Sequence, residues 1–270
     1  MLKMQLSTCG DIHMRPAPLA LVTMLASVAA RGFTEAEAAR FMAAHPSRAY
    51  FAHLSRGLVV AEIGVAQARF SEHLLLHARP SRMYLIEPFP HEDMMDRLST
   101  SWKVRGIGNA TDISFLKGFS LDQHVLSEVP PASVDLVYLD GAHDYENVKK
   151  EMEPYWDRVA PGGILAGHDY CNRGESTAAC SSCGDVPRCG KYTRFGVKNG
   201  KKPGNVANQV GVVKAVQEWV TTSHPELRIH HTLENFTRAS LRSDGYDFDL
   251  VVTMTRNPSW WIFKPRKGAK

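Results

Sequence analysis

The chain has 270 residues, 44% of them hydrophobic and 22% charged, an ordinary globular composition with enough length for one substantial core. Its net charge of +4 comes from scattered basic residues, with modest groups at Lys191–Lys202 and Lys264–Lys270. Neither group is a dense stripe within a recognisable module, which argues against nucleic acid as a partner, and no apolar run approaches the length of a membrane span.

Ala17–Ala30 is apolar, follows Arg15, and has the length of a secretory signal core. The segment before it is long for a signal and contains Asp11. The run also continues into FTEAEAARFMAAH, where Thr34 can cap a helix and Glu37 can close a capping box. Residues 1–56 therefore read as an N-terminal helical segment of a cytoplasmic protein, with a secretory signal as the alternative.

From residue 57 to 270 a single domain is expected. GLVVAEIGV, RMYLIEP, ISFLKGFS, VDLVYLDG and GGILAGHDY read as strands. Helical patterns stand between them in FSEHLLLHA, HEDMMDRLSTSW and YENVKKEMEPYWDRV, the last with Val148, Met152, Tyr155 and Trp156 on one face. Strands alternating with helices predict an α/β fold with a mostly parallel sheet covered on both faces. Continuous apolar strands fit burial on both sides. Residues 171–209 break the rhythm as a Cys-rich insertion expected to fold over the site. Its Cys171, Cys180, Cys183 and Cys189 fit zinc, two disulfides or free thiols, while Cys9 stands apart. VGVVKAVQEWV resumes a helix. DFDLVVTMTR and SWWIFKP, joined at Arg256-Asn257-Pro258, read as a closing β-hairpin, with Trp260 and Trp261 in the core or at a homo-oligomer contact.

Two strands end in the same triplet, His143-Asp144-Tyr145 and His168-Asp169-Tyr170. Ligands of open parallel sheets bind beyond the carboxyl ends of strands. Adjacent strands lie about 4.8 Å apart, so Asp140, His168 and Asp169 can converge. Carboxylates that close repel unless a cation or shared proton neutralises them, and Mg²⁺ suits such oxygens. His143 is the candidate general base, with a role in orienting Asp140 as the alternative. Asp144 reads as the cap of the next helix. Tyr145 and Tyr170 line the acceptor pocket or pack against the insertion. At the other end, Gly64 ends the first strand in E-I-G-V-A-Q-A without the three glycines of a dinucleotide fingerprint. Glu87 ends the second strand, where a carboxylate can accept from ribose hydroxyls.

VVAEIGVAQARFSEHLL, LIEP, VDLVYLDGAHDYENVKKE, APGGILAGHDY and GVVKAVQEWV, in that order, resemble the class I S-adenosylmethionine-dependent methyltransferases. Within them the chain looks closest to methyltransferase family 24, related to metal-dependent sugar and catechol O-methyltransferases. The resemblance implies a Rossmann-like, seven-stranded sheet with an antiparallel C-terminal hairpin. It also implies metal-assisted methyl transfer from S-adenosylmethionine to a hydroxyl of a small molecule, a sugar or a phenol, with a metal-independent methyltransferase of the same fold or a catalytically weak nucleoside-binding protein as the alternatives. By that resemblance Glu62, Gly64 and the turn to Ala68 cradle the methionine portion, Glu87 holds the ribose, Phe119, Ser120 and Leu121 border the adenine, and Asp140 closes the site. The family commonly has glycine at the position of Ala68. Divalent-metal ligands fall on Asp140, His168 and Asp169, where the family's middle residue is Asp or Glu. His168 there admits Mn²⁺, Fe²⁺ or Zn²⁺, or shifts that residue to proton transfer.

Overall fold

The computed structural model describes residues 33–91, 94, 98, 111–171, 186–187, 206–255 and 257–266, with only the backbone of 206–210. Ala17–Ala30, Cys9, Cys180, Cys183, Cys189 and nearly all of the 171–209 insertion lie outside the described residues, as does most of the expected helix after His91. Met94 and Leu98 of that helix are helical and buried. Phe33–Lys270 form one compact unit. No helix among the described residues is long and apolar enough to cross a membrane.

The described chain begins with α1 (Glu35–Ala44), whose start is the expected capping box. Glu37 N donates to Thr34 Oγ1 at 3.3 Å and Thr34 N donates to Glu37 Oε2 at 2.8 Å, so two otherwise orphaned amides are satisfied. A 3₁₀ turn (Arg48–Tyr50) and α2 (Phe51–Leu54) lead into β1 (Val59–Ile63). There follow α3 (Arg69–His77), β2 (Arg82–Ile86), β3 (Asp112–Leu116), α4 (Gln123–Glu128) and β4 (Val134–Leu139). Then come α5 (Tyr145–Arg158), β5 (Val159–Gly167), α6 (Val206–Ser223), β6 (His230–His231), α7 (Arg238–Ser243), α8 (Phe248–Met254) and β7 (Trp260–Phe263).

The sheet has seven strands in the order β3-β2-β1-β4-β5-β7-β6. Strands β1 to β5 pair in parallel, and β7 runs antiparallel to both β5 and β6. This is the Rossmann-like methyltransferase fold. Strand side chains alternate between two cores. Val60, Leu85, Leu136, Tyr138 and Trp261 join α1, α2, α3 and α8 on one face. Ala61, Ile86, Val137, Leu139 and Trp260 join α5 and α6 on the other. Burial on both faces accounts for the unbroken apolar runs.

The antiparallel C-terminal finish is present, but its strands are assigned differently. Phe248–Met254, expected as one arm of a hairpin with SWWIFKP, is the helix α8, capped by the Asp247 side chain accepting from Asp249 N and Leu250 N. Phe248, Val251 and Met254 are its buried residues, a helical spacing that overrides the β-branched content of the run. β7 instead lies between β5 and β6, antiparallel to both, and Trp260 and Trp261 are core residues at 1% exposure.

Candidate active site

Strand order reverses between β1 and β4, and the ladders continue past both strand ends there. Asp140 N donates to Ile63 O at 2.7 Å, and His168 N donates to Leu139 O at 3.0 Å. Asp140 and His168 are thereby fixed side by side above the sheet. Gly64 makes the approach possible. Its φ is +84°, and a Cβ there would lie 2.3 Å from Asp140 O and 2.5 Å from Gly141 Cα. Only glycine fits between these backbones.

The two triplet ends converge as expected. His168 Nδ1 lies 3.1 Å from Asp140 Oδ1 and 3.3 Å from Asp169 Oδ1. His143 Nδ1 lies 3.4 Å from Asp169 Oδ2, with its Nε2 3.7 Å from Asp140 Oδ1. Asp140, His143 and His168 each bring one donor atom within 4.8 Å of the others. Among the described residues the group that could hold an ion is thus Asp140, His143 and His168, with His143 in the place that the sequence gave to Asp169. Asp169 adopts φ +59°, an arrangement that aspartate tolerates better than most residues. Asn257 Nδ2 donates to Asp169 Oδ1 at 2.8 Å and fixes that carboxylate.

Burial works against ionised Asp140, but His168, Arg48 and His143 outweigh it and hold the carboxyl at about 2. Burial likewise opposes a charged His168, while Asp169 and Asp140 outweigh that and raise its pKa. His168 Nε2 is buried without a hydrogen-bond partner. Asp144 caps α5, its Oδ1 accepting from Asn147 N at 3.1 Å, in line with the sequence reading. Tyr170 is buried and its hydroxyl accepts from Gln217 Nε2 at 3.2 Å, whereas the Tyr145 hydroxyl donates to Glu218 at 2.7 Å. Both tyrosines pack against α6. Cys171 is disulfide-bonded.

The other predicted residues line the edge from β1 to β3. Glu62 is buried at 1% exposure, accepts from Ser71 Oγ at 2.5 Å, and is pushed up to about 8, chiefly by burial. Ala66 and Ala68 both take positive φ, +46° and +57°, so the turn does hold left-handed backbone where the family favours glycine. Glu87 accepts from Ala66 N at 2.9 Å and Phe89 N at 3.0 Å, which ties the ends of β1 and β2 together and leaves lone pairs on each oxygen. Ser120 is clamped to α5, with its Oγ donating to Glu151 at 2.5 Å and its carbonyl accepting from Tyr155 at 2.9 Å. Leu121 is half-buried beside it. Phe119 is exposed and meets exposed Phe89 edge to face, ring centroids 5.7 Å apart.

Sequence reasoning missed Phe89, Asn257 and Arg48. Phe89 carried a faint signal, lying two residues beyond Glu87. Arg48 and Asn257 carried none, because they reach the site from segments distant in sequence. Arg48 Nη1 donates to Asp140 Oδ2 at 3.0 Å and to the Tyr138 hydroxyl at 3.1 Å.

Residues 61–170 match the methyltransferase family 24 model, described as a Methyltransferase domain. A search of curated proteins gives no match. Among solved structures, cofactor-bound Rv0187 from MTB is 15% identical, with 93% of this chain and 91% of that one covered and a TM-score of 0.47. The O-methyltransferase TomG of Streptomyces achromogenes, involved in tomaymycin synthesis and solved with S-adenosylmethionine, is 12% identical over 89% of each chain, TM-score 0.48. A Bacillus cereus O-methyltransferase solved with S-adenosylhomocysteine is 12% identical over 91% of this chain and 89% of its own, TM-score 0.46. The family match over the strands that build the site, together with the strand order, identifies residues 61–170 as a methyltransferase domain of the class I S-adenosylmethionine-dependent kind.

Proposed function

We propose that this chain transfers the methyl group of S-adenosylmethionine to a hydroxyl of a small molecule, with a divalent ion in the cluster at the ends of β4 and β5. The observation that carries the reading is the convergence of Asp140, His143, His168 and Asp169 within hydrogen-bonding or near-bonding distance, one strand from the Gly64 turn. The cofactor edge runs from Glu62, Gly64 and Ala68 through Glu87 to Phe119, Ser120 and Leu121. Glu87 accepts from the ribose hydroxyls, and the Phe89–Phe119 pair offers aromatic faces for the adenine.

The donor set fits an ion. Asp140, His143 and His168 supply a carboxylate and two imidazoles with ligand atoms within 4.8 Å of one another, and Asp169, 3.3 Å from His168 Nδ1, offers a further carboxylate. When bound, such an ion lowers the pKa of an acceptor hydroxyl. The protein's own part is positional. Arg48 holds Asp140 through Oδ2, Asn257 holds Asp169 through Oδ1, and His143, the most open of the four groups at 26% side-chain exposure, takes the proton from the acceptor oxygen.

The test is thermal unfolding with S-adenosylhomocysteine, with Mn²⁺ or Mg²⁺, and with a chelator. A ligand at a hundredfold its Kd stabilises the fold by about 2.7 kcal/mol. A shift with S-adenosylhomocysteine and a second, chelator-sensitive shift lost in Asp169→Ala are expected. No shift with S-adenosylhomocysteine would defeat the cofactor reading, and a metal shift unchanged by Asp169→Ala would defeat the assigned ligand set.

A further inference from the structure

Arg48 lies outside the matched domain, yet its guanidinium is part of the site. Its side chain is 6% exposed and packs over the rings of Phe70 and Tyr138, 5.1 and 5.8 Å from their centroids. The turn that carries it is anchored by the segment that follows β6. Arg48 N donates to Glu234 Oε1 at 2.9 Å, Ser47 Oγ donates to Glu234 Oε2 at 2.7 Å, and Thr232 Oγ1 donates to Glu234 Oε1 at 2.6 Å. The Tyr138 hydroxyl, which Arg48 also contacts, lies 2.7 Å from Ser259 Oγ. Glu234 is 1% exposed and the Arg48 side chain 6%, so this network is buried.

We propose that Arg48 is the site's resident cation. It keeps Asp140 beside Asp169 when no divalent ion is bound, and it lowers the affinity of the cluster for such an ion, which is therefore held weakly and exchangeably. The inference rests on the metal reading proposed above. Two carboxylates this close need a neighbouring positive charge, and Arg48 supplies one from within the fold. An ion on Asp140 Oδ1 would share that carboxylate with the guanidinium on Oδ2. Like charges this near repel, and the bonds of Arg48 to Tyr138 and of its backbone to Glu234 hold the guanidinium where it is. The competing effect is orientation, since Arg48 also steadies Asp140. Orientation is the weaker effect because Asp140 keeps its ladder bond to Ile63 and its contact with His168 when Arg48 is removed.

The experiment is calorimetric titration of chelator-treated protein with Mn²⁺, comparing wild type, Arg48→Gln and Arg48→Lys, with S-adenosylhomocysteine titrated in parallel. Arg48→Gln deletes the charge and keeps a hydrogen-bond donor, and Arg48→Lys keeps the charge. Arg48→Gln is expected to bind Mn²⁺ at least about tenfold more tightly than wild type, with Arg48→Lys close to wild type. Equal or weaker Mn²⁺ binding by Arg48→Gln, with S-adenosylhomocysteine binding retained, overturns the proposal. Mn²⁺ binding by none of the three overturns both it and the metal reading, while the cofactor reading stands or falls on the parallel titration. If Arg48→Gln does not fold, Arg48→Met, neutral and of similar reach, gives the same comparison.

Discussion

The turn after β1 holds three residues at positive φ, and they answer differently to substitution. Gly64→Ala forces a methyl to within 2.3 Å of Asp140 O and 2.5 Å of Gly141 Cα, both backbone atoms of the neighbouring strand end. Left-handed backbone costs an alanine about 1–2 kcal/mol, and overpacking against atoms that cannot swing aside adds about 1–3 kcal/mol. The substitution should therefore destabilise the protein by about 2–5 kcal/mol and push Asp140 away from His168. Ala66→Gly runs the other way. Ala66 is exposed at φ +46°, so relief of about 1–2 kcal/mol is opposed only by the greater chain entropy of glycine, about 0.5–1 kcal/mol. Ala68→Gly also loses a fully buried methyl, worth about 0.8 kcal/mol, and should come out near neutral. The assay is urea unfolding followed by tryptophan fluorescence, read as midpoint shifts. A Gly64→Ala midpoint close to wild type, or an Ala66→Gly midpoint below it, would refute the steric reasoning.

Three further outcomes are expected. His73 is fully buried with Nε2 on Ala49 O at 2.8 Å, and burial with His77 nearby pulls its pKa down to about 3. The unfolded chain takes up that proton below about 6.5, so stability falls as pH drops towards 3, by about 2 kcal/mol at pH 5. His73→Gln should remove that slope in unfolding curves between pH 4 and 7, and an unchanged slope would show that His73 is not its source. Glu62 has the opposite sign. Its pKa is raised to about 8, so its contribution is complete below about 4.5 and is lost as pH rises through 8, about 4 kcal/mol by that point. Glu62→Gln should flatten this loss in the ligand-free protein, and retention of it in the variant would rule the assignment out. Phe119→Ala should weaken S-adenosylhomocysteine binding about tenfold by calorimetry through loss of base–aromatic contact, whereas unaltered affinity would take Phe119 out of the adenine site.

Most of the candidate site was legible because its residues end strands, and strand ends announce themselves. Asp140 and His168 follow apolar runs of strand length set between helical patterns, so their place on the ligand-binding edge followed from the alternation of the runs. The capping box at Thr34 and the cap at Asp144 are local, and local chemistry decides them. The α8 segment was misread because β-branched residues there outweighed a short 3-residue spacing that only packing makes decisive.

What the sequence determined by itself was the alternation of strands and helices, the edge where chemistry is done, and the side chains delivered to it. The tertiary structure decided which distant groups complete that edge. Arg48 precedes Asp140 by 92 positions and Asn257 follows Asp169 by 88, and no periodicity links residues so far apart. They meet because the 3₁₀ turn docks through Glu234 and because the loop before β7 returns to the end of β5. A local pattern fixes which way a side chain faces within its own element, whereas the charge beside it depends on how separate elements pack.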